Sequence, residues 1–258
     1  LLSDSKADVI KKIKIDNEDV RIQNAKRRAR KVFASLEKSR ATPSVIDWSA
    51  YEPVTPQFIG NKTFKNYSLA EIAERFDWEP FFKTWELHGK YPAILSDEVV
   101  GEEATKLFAD AKQKLQEIID KNQLVCHGVI GLYPANAVDN DNTEIYDDND
   151  RQSIKARLHH LRQQVDRPAG RPYRSLADFI APKVSNKHDH MGAFAVSCFG
   201  ADELAKKYEE DHDDYNSIMV KALADRFAEA FAEVLHERVR KEFWGYANDE
   251  SLSNSQLI

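Results

Sequence analysis

Asp77 is the residue whose surroundings in the sequence most suggest a binding role. It lies in an aromatic segment, between Phe76 and Trp78 and shortly before Phe81 and Phe82. A carboxylate costs free energy to bury unless it is paired, and the faces of aromatic rings attract cations. Asp77 is therefore a candidate for binding a cationic group such as an ammonium or a sulfonium. The alternative is an aspartate that caps a helix or stabilises a turn.

A second set of carboxylates recurs at every fourth position near the C-terminus. Asp225, Glu229, Glu233 and Glu237 are each four residues apart, so on a helix they form one acidic stripe. One interpretation is a solvated helix face with ordinary ion pairs, each of which stabilises a helix by roughly 0.2–0.5 kcal/mol. The other is a docking surface for a basic or hydrogen-bond-donating partner.

The remaining residues of ligand type match no complete motif. Asp139, Asp141 and Thr143 occupy the first positions of a calcium loop, but Glu144 stands where that loop needs a glycine. The histidines lack the spacing of zinc ligands, and the glycines lack a nucleotide-binding pattern. No nucleophile elbow occurs either. We therefore predict no metal site and no catalytic residue in this chain.

The composition is that of a folded protein. Of 258 residues, 42% are apolar and 31% are charged. No run of about 18 apolar residues occurs, so we predict no membrane partner. Cys126 and Cys198 are the only cysteines in the sequence. Since two cysteines form no disulfide framework, we expect both to be reduced, which favours a cytoplasmic location.

Charge is unevenly distributed along the chain. Residues 1–40 contain twelve basic and six acidic residues, whereas the rest contains 25 basic and 37 acidic residues. The basic run from Ala25 to Lys31 could contact nucleic acid, but it lacks interleaved aromatic residues and the remaining chain is acidic. We favour an exposed helix or linker and predict no nucleic-acid partner. We place a domain boundary near residue 40 and expect residues 25–40 to make few core contacts.

Apolar periodicity and turn residues predict helices and strands that do not alternate regularly. This pattern favours an α+β fold with a largely antiparallel twisted sheet, flanking helices and a long C-terminal helix. The predicted helices are 5–40, 68–75, 101–121, 152–165, 201–208 and 213–244, and the predicted strands are 125–132, 143–146 and 191–198. The apolar side of the last helix comprises Val220, Leu223, Ala224, Phe227, Phe231, Val234 and Leu235.

Several strings along the chain resemble the C-terminal activation module of cobalamin-dependent methionine synthase. The resemblance runs in order from about residue 45 to the end of the chain. The strings that carry it are Phe76–Phe82, Gly89–Pro92, Gly131–Asn136, Leu161–Gln164, Ser175–Pro182, Gly192–Val196, Asp213–Arg226, Glu237–Lys241 and Trp244–Tyr246.

The resemblance implies a role in a methyltransferase. Enzymes of this family move a methyl group from methyltetrahydrofolate to homocysteine through cobalamin, which occasionally oxidises to an inactive form. The activation module then binds S-adenosylmethionine and presents its methyl group to the cobalt, while flavodoxin or a related reductase supplies an electron. Residues 1–40 would be the tail of the cobalamin domain and a basic helical linker. Cobalamin and zinc would be held by parts of the parent protein outside this chain.

Three residues acquire roles from the resemblance. Asp77 matches the family aspartate that binds S-adenosylmethionine, in agreement with the expectation of a carboxylate that binds a cation. Asp225 and Glu229 match helix residues that face the cobalamin domain of the same protein during reactivation. The resemblance therefore favours the docking interpretation for these two positions of the acidic stripe.

The sequence also departs from the family pattern. A further binding element of the family, Arg-Pro-Ala-Pro-Gly-Tyr-Pro, lies downstream of the long helix, and this chain ends at Ile258 before reaching it. We therefore expect residues 41–258 to be an activation domain that is incomplete at its C-terminus, and the chain alone to be inactive. The alternative is a docking module for the cobalamin domain and the reductase that binds no S-adenosylmethionine of its own.

Overall fold

The computed structural model describes residues 6–29 and 32–252. The chain folds into two compact units. Strand β2, which runs from Val125 to Val138, contributes residues to both of them. Unit 1 consists of the described residues within 1–52, 135–145 and 154–188, and unit 2 of those within 53–134, 146–153 and 189–258.

The predicted α+β class is confirmed. In chain order the elements are α1 (Lys6–Ala29), α2 (Leu36–Ala41), β1 (Gly60–Tyr67), α3 (Leu69–Ala73), α4 (Glu79–Thr84), α5 (Gly101–Asp120), β2 (Val125–Val138), β3 (Asn142–Tyr146), β4 (Ile154–His159), β5 (Asp189–Phe199), α6 (Ala201–Glu210) and α7 (Asp214–Arg238). The strand order is β1-β2-β3-β4, and β5 also pairs with β2. The pairs β1–β2 and β2–β3 are antiparallel.

Unit 1 contains the hairpin between β2 and β3. Ala135 lies opposite Ile145, and Val138 lies opposite Asn142. The residues between the strands include Asp139, which has a left-handed φ of 54°. Aspartate tolerates this conformation better than most residues, which suits Asp139 to the turn between the strands.

The predicted helix over residues 152–165 is wrong. Residues 154–159 form β4 instead, next to β3 in the strand order. The residues of β4, Ile154–His159, alternate apolar and polar in the sequence, which is the pattern of a strand. All six side chains are nevertheless exposed, so the alternation does not mark a buried face.

The predicted continuous helix over residues 5–40 is also wrong, because α1 ends at Ala29 and α2 begins at Leu36. The side chains of Lys6–Lys26 are exposed, and the remainder of the basic run lies outside the residues whose side chains are described. Beyond it the chain packs within unit 1, contrary to expectation. Ala34 and Ser39 are buried, and the Ala34 amide donates to the Gln164 carbonyl oxygen at 2.8 Å. That residues 1–40 belong to a preceding domain stays a prediction.

Unit 2 packs five helices on its strands. β1 pairs with β2 so that Gly60 lies opposite Leu132, with an irregularity between Phe64 and Tyr67. The predicted strand over 125–132 is confirmed and extends further. Helix α5 matches the prediction closely. Its buried side chains join those of β2 and α7 in one hydrophobic core.

Helix α7 confirms the predicted long helix and its apolar side. Asp213 precedes it, and its Oδ1 accepts from the Asn216 amide at 3.0 Å, which satisfies one of the unpaired amides of the first turn. Phe227 and Phe231 are fully buried. The α-helix ends at Arg238, earlier than predicted, and residues 239–243 form a π-helical turn. No helix among the described residues is long and apolar enough to cross a membrane.

Candidate functional site

Asp77 lies in the short connection between α3 and α4. Its Oδ1 accepts a hydrogen bond from the Glu79 amide at 2.9 Å, at the start of α4, where helix amides lack partners within the helix. The side chain is exposed. This is the capping arrangement that the sequence left open as an alternative. The described residues give Oδ2 no hydrogen bond, so the cap leaves one carboxylate oxygen facing solvent.

The aromatic residues near Asp77 pack into the core of unit 2. The ring of Phe76 packs against Phe227 with centroids 4.8 Å apart, and Trp78 packs against Phe108 at 4.9 Å. Phe81 and Phe82 are fully buried. These rings build the core of unit 2 and hold the Asp77 segment in place. A cation at Asp77 would therefore meet an exposed carboxylate, and the binding role of Asp77 stays a prediction.

The acidic stripe on α7 divides into two parts. At its C-terminal end Glu237 accepts a hydrogen bond from Lys241 Nζ at 2.6 Å and forms an ion pair with Arg75 at 2.5 Å. The hydrogen bond from Lys241 is the main cause of the lowered pKa of Glu237. This end fits the interpretation of an ordinary ion-paired face. Glu233 has a half-buried side chain between the two parts.

Asp225 and Glu229, at the N-terminal end of the stripe, are more exposed than Glu237 and are held less strongly by other side chains. The Asp225 side chain is 79% exposed, and among the residues that the structure describes its one ion pair is with its neighbour Arg226, at 3.4 Å. Lys221, four residues before Asp225, pairs instead with Glu209 on α6 at 2.7 Å. Glu229 is exposed, and the described residues provide no ion pair for it. Both carboxylates can therefore meet a partner without first breaking a strong contact.

An open cavity of about 520 Å³ lies beside this end of the stripe, within unit 2. Asp225 and Lys221 line one side of it, and the end of β5 with the first turn of α6 lines the other. Gly200 precedes α6 with a φ of 93°, a conformation that favours glycine. Asp202 and Glu203 in the first turn add two carboxylates, so acidic side chains predominate around the cavity.

The structure does not bring Asp77 together with Asp225 and Glu229. The Asp77 segment contacts α7 through Phe76 and Phe227. Because each residue of a helix turns by about 100°, Asp225 and Glu229 lie about 160° around α7 from Phe227. The three predicted site residues therefore belong to two separate surfaces of unit 2.

Unit 1 contains an ionic cluster that no sequence pattern predicts. Arg162 is nearly fully buried, and its guanidinium bridges two buried aspartates: Nε donates to Asp141 Oδ1 at 2.6 Å, and Nη2 donates to Asp178 Oδ1 at 2.7 Å. Arg40 donates to the other oxygen of Asp141 at 2.6 Å. Both oxygens of this calcium-loop candidate are thus occupied by arginines. Elsewhere in the described part of the chain, no group of three or more acidic, histidine or cysteine residues could hold a metal ion.

The cluster shifts the pKa values of its members. Burial alone would raise the pKa of Asp178, but hydrogen bonds from Arg162 and from the Ser175 and Ser44 amides outweigh it and lower the pKa. For Arg162, burial opposes the charge, and the two aspartates reverse that effect and raise the pKa. No local spacing in the sequence indicates this cluster, since its members come from distant segments.

Comparisons with known proteins identify the family to which this chain belongs. The family model described as vitamin B12 dependent methionine synthase, activation domain, matches residues 68–258. A crystal structure of the MetH reactivation domain bound to AdoHcy is 50% identical in sequence, with a TM-score of 0.83. That match covers 87% of this chain and 69% of the other chain. The chain therefore belongs to the family of vitamin B12 dependent methionine synthase activation domains.

Proposed function

We propose that this chain binds S-adenosylmethionine through Asp77 and takes part in the reductive methylation that reactivates oxidised cobalamin. The single observation that carries the proposal is the Asp77 carboxylate, held outward by its bond to the Glu79 amide with one oxygen available. The solved relative, 50% identical to this chain, is bound to AdoHcy, which differs from S-adenosylmethionine by one methyl group and the positive charge on sulfur.

Asp77 has the chemistry that such a ligand requires. When bound, S-adenosylmethionine supplies an activated methyl group. The role of Asp77 is to bind and orient the ligand: Oδ1 remains on the Glu79 amide, and Oδ2 accepts from the ligand's ammonium group or lies near its sulfonium. An exposed carboxylate provides a modest share of the binding free energy, because solvent screens its charge.

We further propose that Asp225 and Glu229 contact the cobalamin-binding domain of the same protein. Both side chains are exposed, and neither is held by a strong ion pair within the described residues. Two carboxylates on adjacent turns of a rigid helix can accept hydrogen bonds from one partner group at a fixed spacing.

The proposal extends to the parent protein. We propose that it is a cytoplasmic methyltransferase that carries a methyl group from methyltetrahydrofolate to homocysteine through cobalamin, with zinc and cobalamin in other domains. Flavodoxin or a related reductase supplies the electron for reactivation. Membership of the activation-domain family supports this scheme.

Calorimetric titration of the chain with S-adenosylmethionine tests the role of Asp77. Asp77→Asn keeps an oxygen for the Glu79 amide but removes the charge, so we expect binding to weaken by about 1.5–3 kcal/mol, roughly 10- to 150-fold. Asp97→Asn is the matched control, because Asp97 is also an exposed aspartate whose Oδ1 accepts from the nearby amides of Val99 and Val100. If the two variants bind equally well, Asp77 does not contact the ligand.

A docking module without its own S-adenosylmethionine binding remains the second candidate, supported by the available carboxylates of Asp225 and Glu229. It predicts no binding heat from the wild-type chain, but measurable association with an isolated cobalamin domain. Glu229→Gln should weaken that association, whereas Glu210→Gln, an exposed carboxylate on α6, should not. Equal affinities of both variants would remove the docking role of Glu229.

A further inference from the structure

The two cysteines of the chain lie on paired strands of unit 2. Cys126 is near the start of β2 and Cys198 is near the end of β5, and these two strands pair with each other. Cys126 is fully buried, whereas Cys198 is partly exposed and lines the cavity beside Asp225. One thiol of the pair is therefore accessible from solvent and the other is not.

Two glycines give the alignment of β5 on β2. A methyl group added to Gly192 would lie 2.9 Å from Leu132 Cδ2, and one added to Gly200 would lie 3.1 Å from the Gln123 carbonyl oxygen, 3.7 Å from Leu124 Cδ2 and 3.8 Å from Leu124 Cα. Moving eight residues forward from Gly192 to Gly200 thus moves about eight residues back, from Leu132 to Leu124. From this progression we infer that the two paired strands run antiparallel in one register.

The same register places Cys198 directly opposite Cys126. Cys198 lies six residues after Gly192, and Cys126 lies six residues before Leu132. Residues opposite each other in an antiparallel pair have Cα atoms about 4.5–5.5 Å apart, and their side chains lie on the same face of the sheet. That separation falls within the range of about 4.4–6.8 Å that a disulfide spans.

The two thiols also influence each other directly. Hydrogen bonding from Cys198 lowers the pKa of Cys126, while the bond to Cys126, followed by burial, raises the pKa of Cys198. The two side chains are therefore in hydrogen-bonding contact, and the partly exposed thiol of Cys198 is the one that an external reagent can reach.

We propose that Cys126 and Cys198 form a reversible disulfide between β2 and β5 by exchange with a low-molecular-weight disulfide. Cys198 loses its proton to solvent and attacks one sulfur of the reagent, forming a mixed disulfide and releasing one thiolate. Cys126, after losing its proton, attacks Cys198 Sγ and releases the second thiolate. Both released thiolates take up protons, so two protein thiols are oxidised while one reagent disulfide is reduced to two thiols.

The proposal does not depend on S-adenosylmethionine binding, but the disulfide would close at the wall of the cavity that Asp225 also lines. It would link β2 to the strand end that leads into α6. Because the first attack needs the Cys198 thiolate, whose pKa is raised, exchange should accelerate as pH rises above neutrality.

Incubation of the chain with oxidised glutathione at several pH values tests the proposal. We expect both free thiols to disappear together, with the loss of two hydrogen atoms in intact mass and a Cys126–Cys198 linked peptide in a non-reducing digest. Dithiothreitol should restore both thiols. The oxidised chain should melt about 4–8 °C higher, because the bond links residues distant in sequence.

Single substitutions identify the order of attack. Cys126→Ala should retain one stable glutathione adduct at Cys198, whereas Cys198→Ala should leave Cys126 unmodified in the folded chain. Wild-type chain that accumulates a stable glutathione adduct, forms only disulfide-linked dimers or keeps both thiols under these conditions would overturn the proposal. The wild-type peptide map decides the question even if a variant fails to fold.

Discussion

Replacing Arg162 by methionine should strongly destabilise unit 1. The guanidinium donates to Asp141, to both oxygens of Asp178, and to the carbonyl oxygens of Tyr173 and Asn140, at 2.6–3.1 Å. The Asp141 and Asp178 side chains are only 8% and 5% exposed. Methionine fills similar space but leaves the buried Asp178 carboxylate without a cation, whereas Asp141 keeps its pair with Arg40 at 2.6 Å. Breaking such a pair from one side costs about 3–5 kcal/mol.

Urea unfolding followed by far-ultraviolet circular dichroism measures this loss, and Arg157→Met is the matched control. Arg157 lies five residues earlier on β4, and it also binds a buried carboxylate, that of Glu144, at 2.6 Å. Its own side chain is 46% exposed, and Lys183 remains on Glu144 at 2.9 Å. The control should therefore cost under about 1 kcal/mol.

The double variant Arg162→Met with Asp178→Asn separates a lost pairing from a general packing defect. Removing the charge left by the first substitution should recover part of the stability, as a coupling of about 0.5–3 kcal/mol in a double-mutant cycle. A loss below about 1 kcal/mol for Arg162→Met, or strictly additive effects in the cycle, would refute the reasoning about an uncompensated buried charge.

Other predictions concern α7, the pH dependence and the N-terminal segment. Phe231→Ala removes a fully buried ring and should cost about 3–5 kcal/mol in urea unfolding, against under about 0.5 kcal/mol for Glu229→Gln; equal losses would make Glu229 structural. The folded-state pKa of Asp178 lies below its unfolded value, so its contribution to stability is present above about pH 4 and is lost as pH falls through the folded pKa. Thermal melts from pH 5 to pH 3 should therefore fall less for Asp178→Asn than for wild type. A truncation that removes every residue up to Ala29 should change the melting temperature by less than about 2 °C. A truncation that removes every residue up to Ala41 should lower it by about 4 °C or more, and equal effects of the two truncations would contradict the packing of Ala34.

The sequence predicts well those elements whose apolar residues recur with the period of the helix or strand that they form. The apolar side of α7 and the helix α5 have periods close to that of a helix, and both helices form nearly where expected. The strand β2 alternates buried and half-buried side chains over most of its length. For these segments, local pattern and tertiary environment agree.

Elements and sites that depend on distant partners are less predictable. Strand β4 alternates apolar and polar residues in the sequence, and the prediction of a helix over residues 152–165 does not follow that alternation; because all six side chains are exposed, no buried face reinforces it. The partners of Arg162 lie up to 22 residues away, and no spacing rule links them. The binding role of Asp77 stays a prediction, and its exposure depends on how Phe76 and Trp78 pack on other helices, which the aromatic composition alone does not determine.

The π-helical turn after α7 has a consequence for insertions and deletions. It holds one residue more per turn than an α-helix, and such bulges arise where a single residue is added to a helix. Here the turn precedes Trp244, whose indole nitrogen donates to the Val54 carbonyl oxygen at 2.7 Å, and includes Arg240, which pairs with Glu250 at 2.6 Å. Deleting one residue within 239–243 would restore regular helix and rotate everything beyond it by about 100°. Both contacts would then be lost together, so this segment should tolerate substitutions far better than any change in its length.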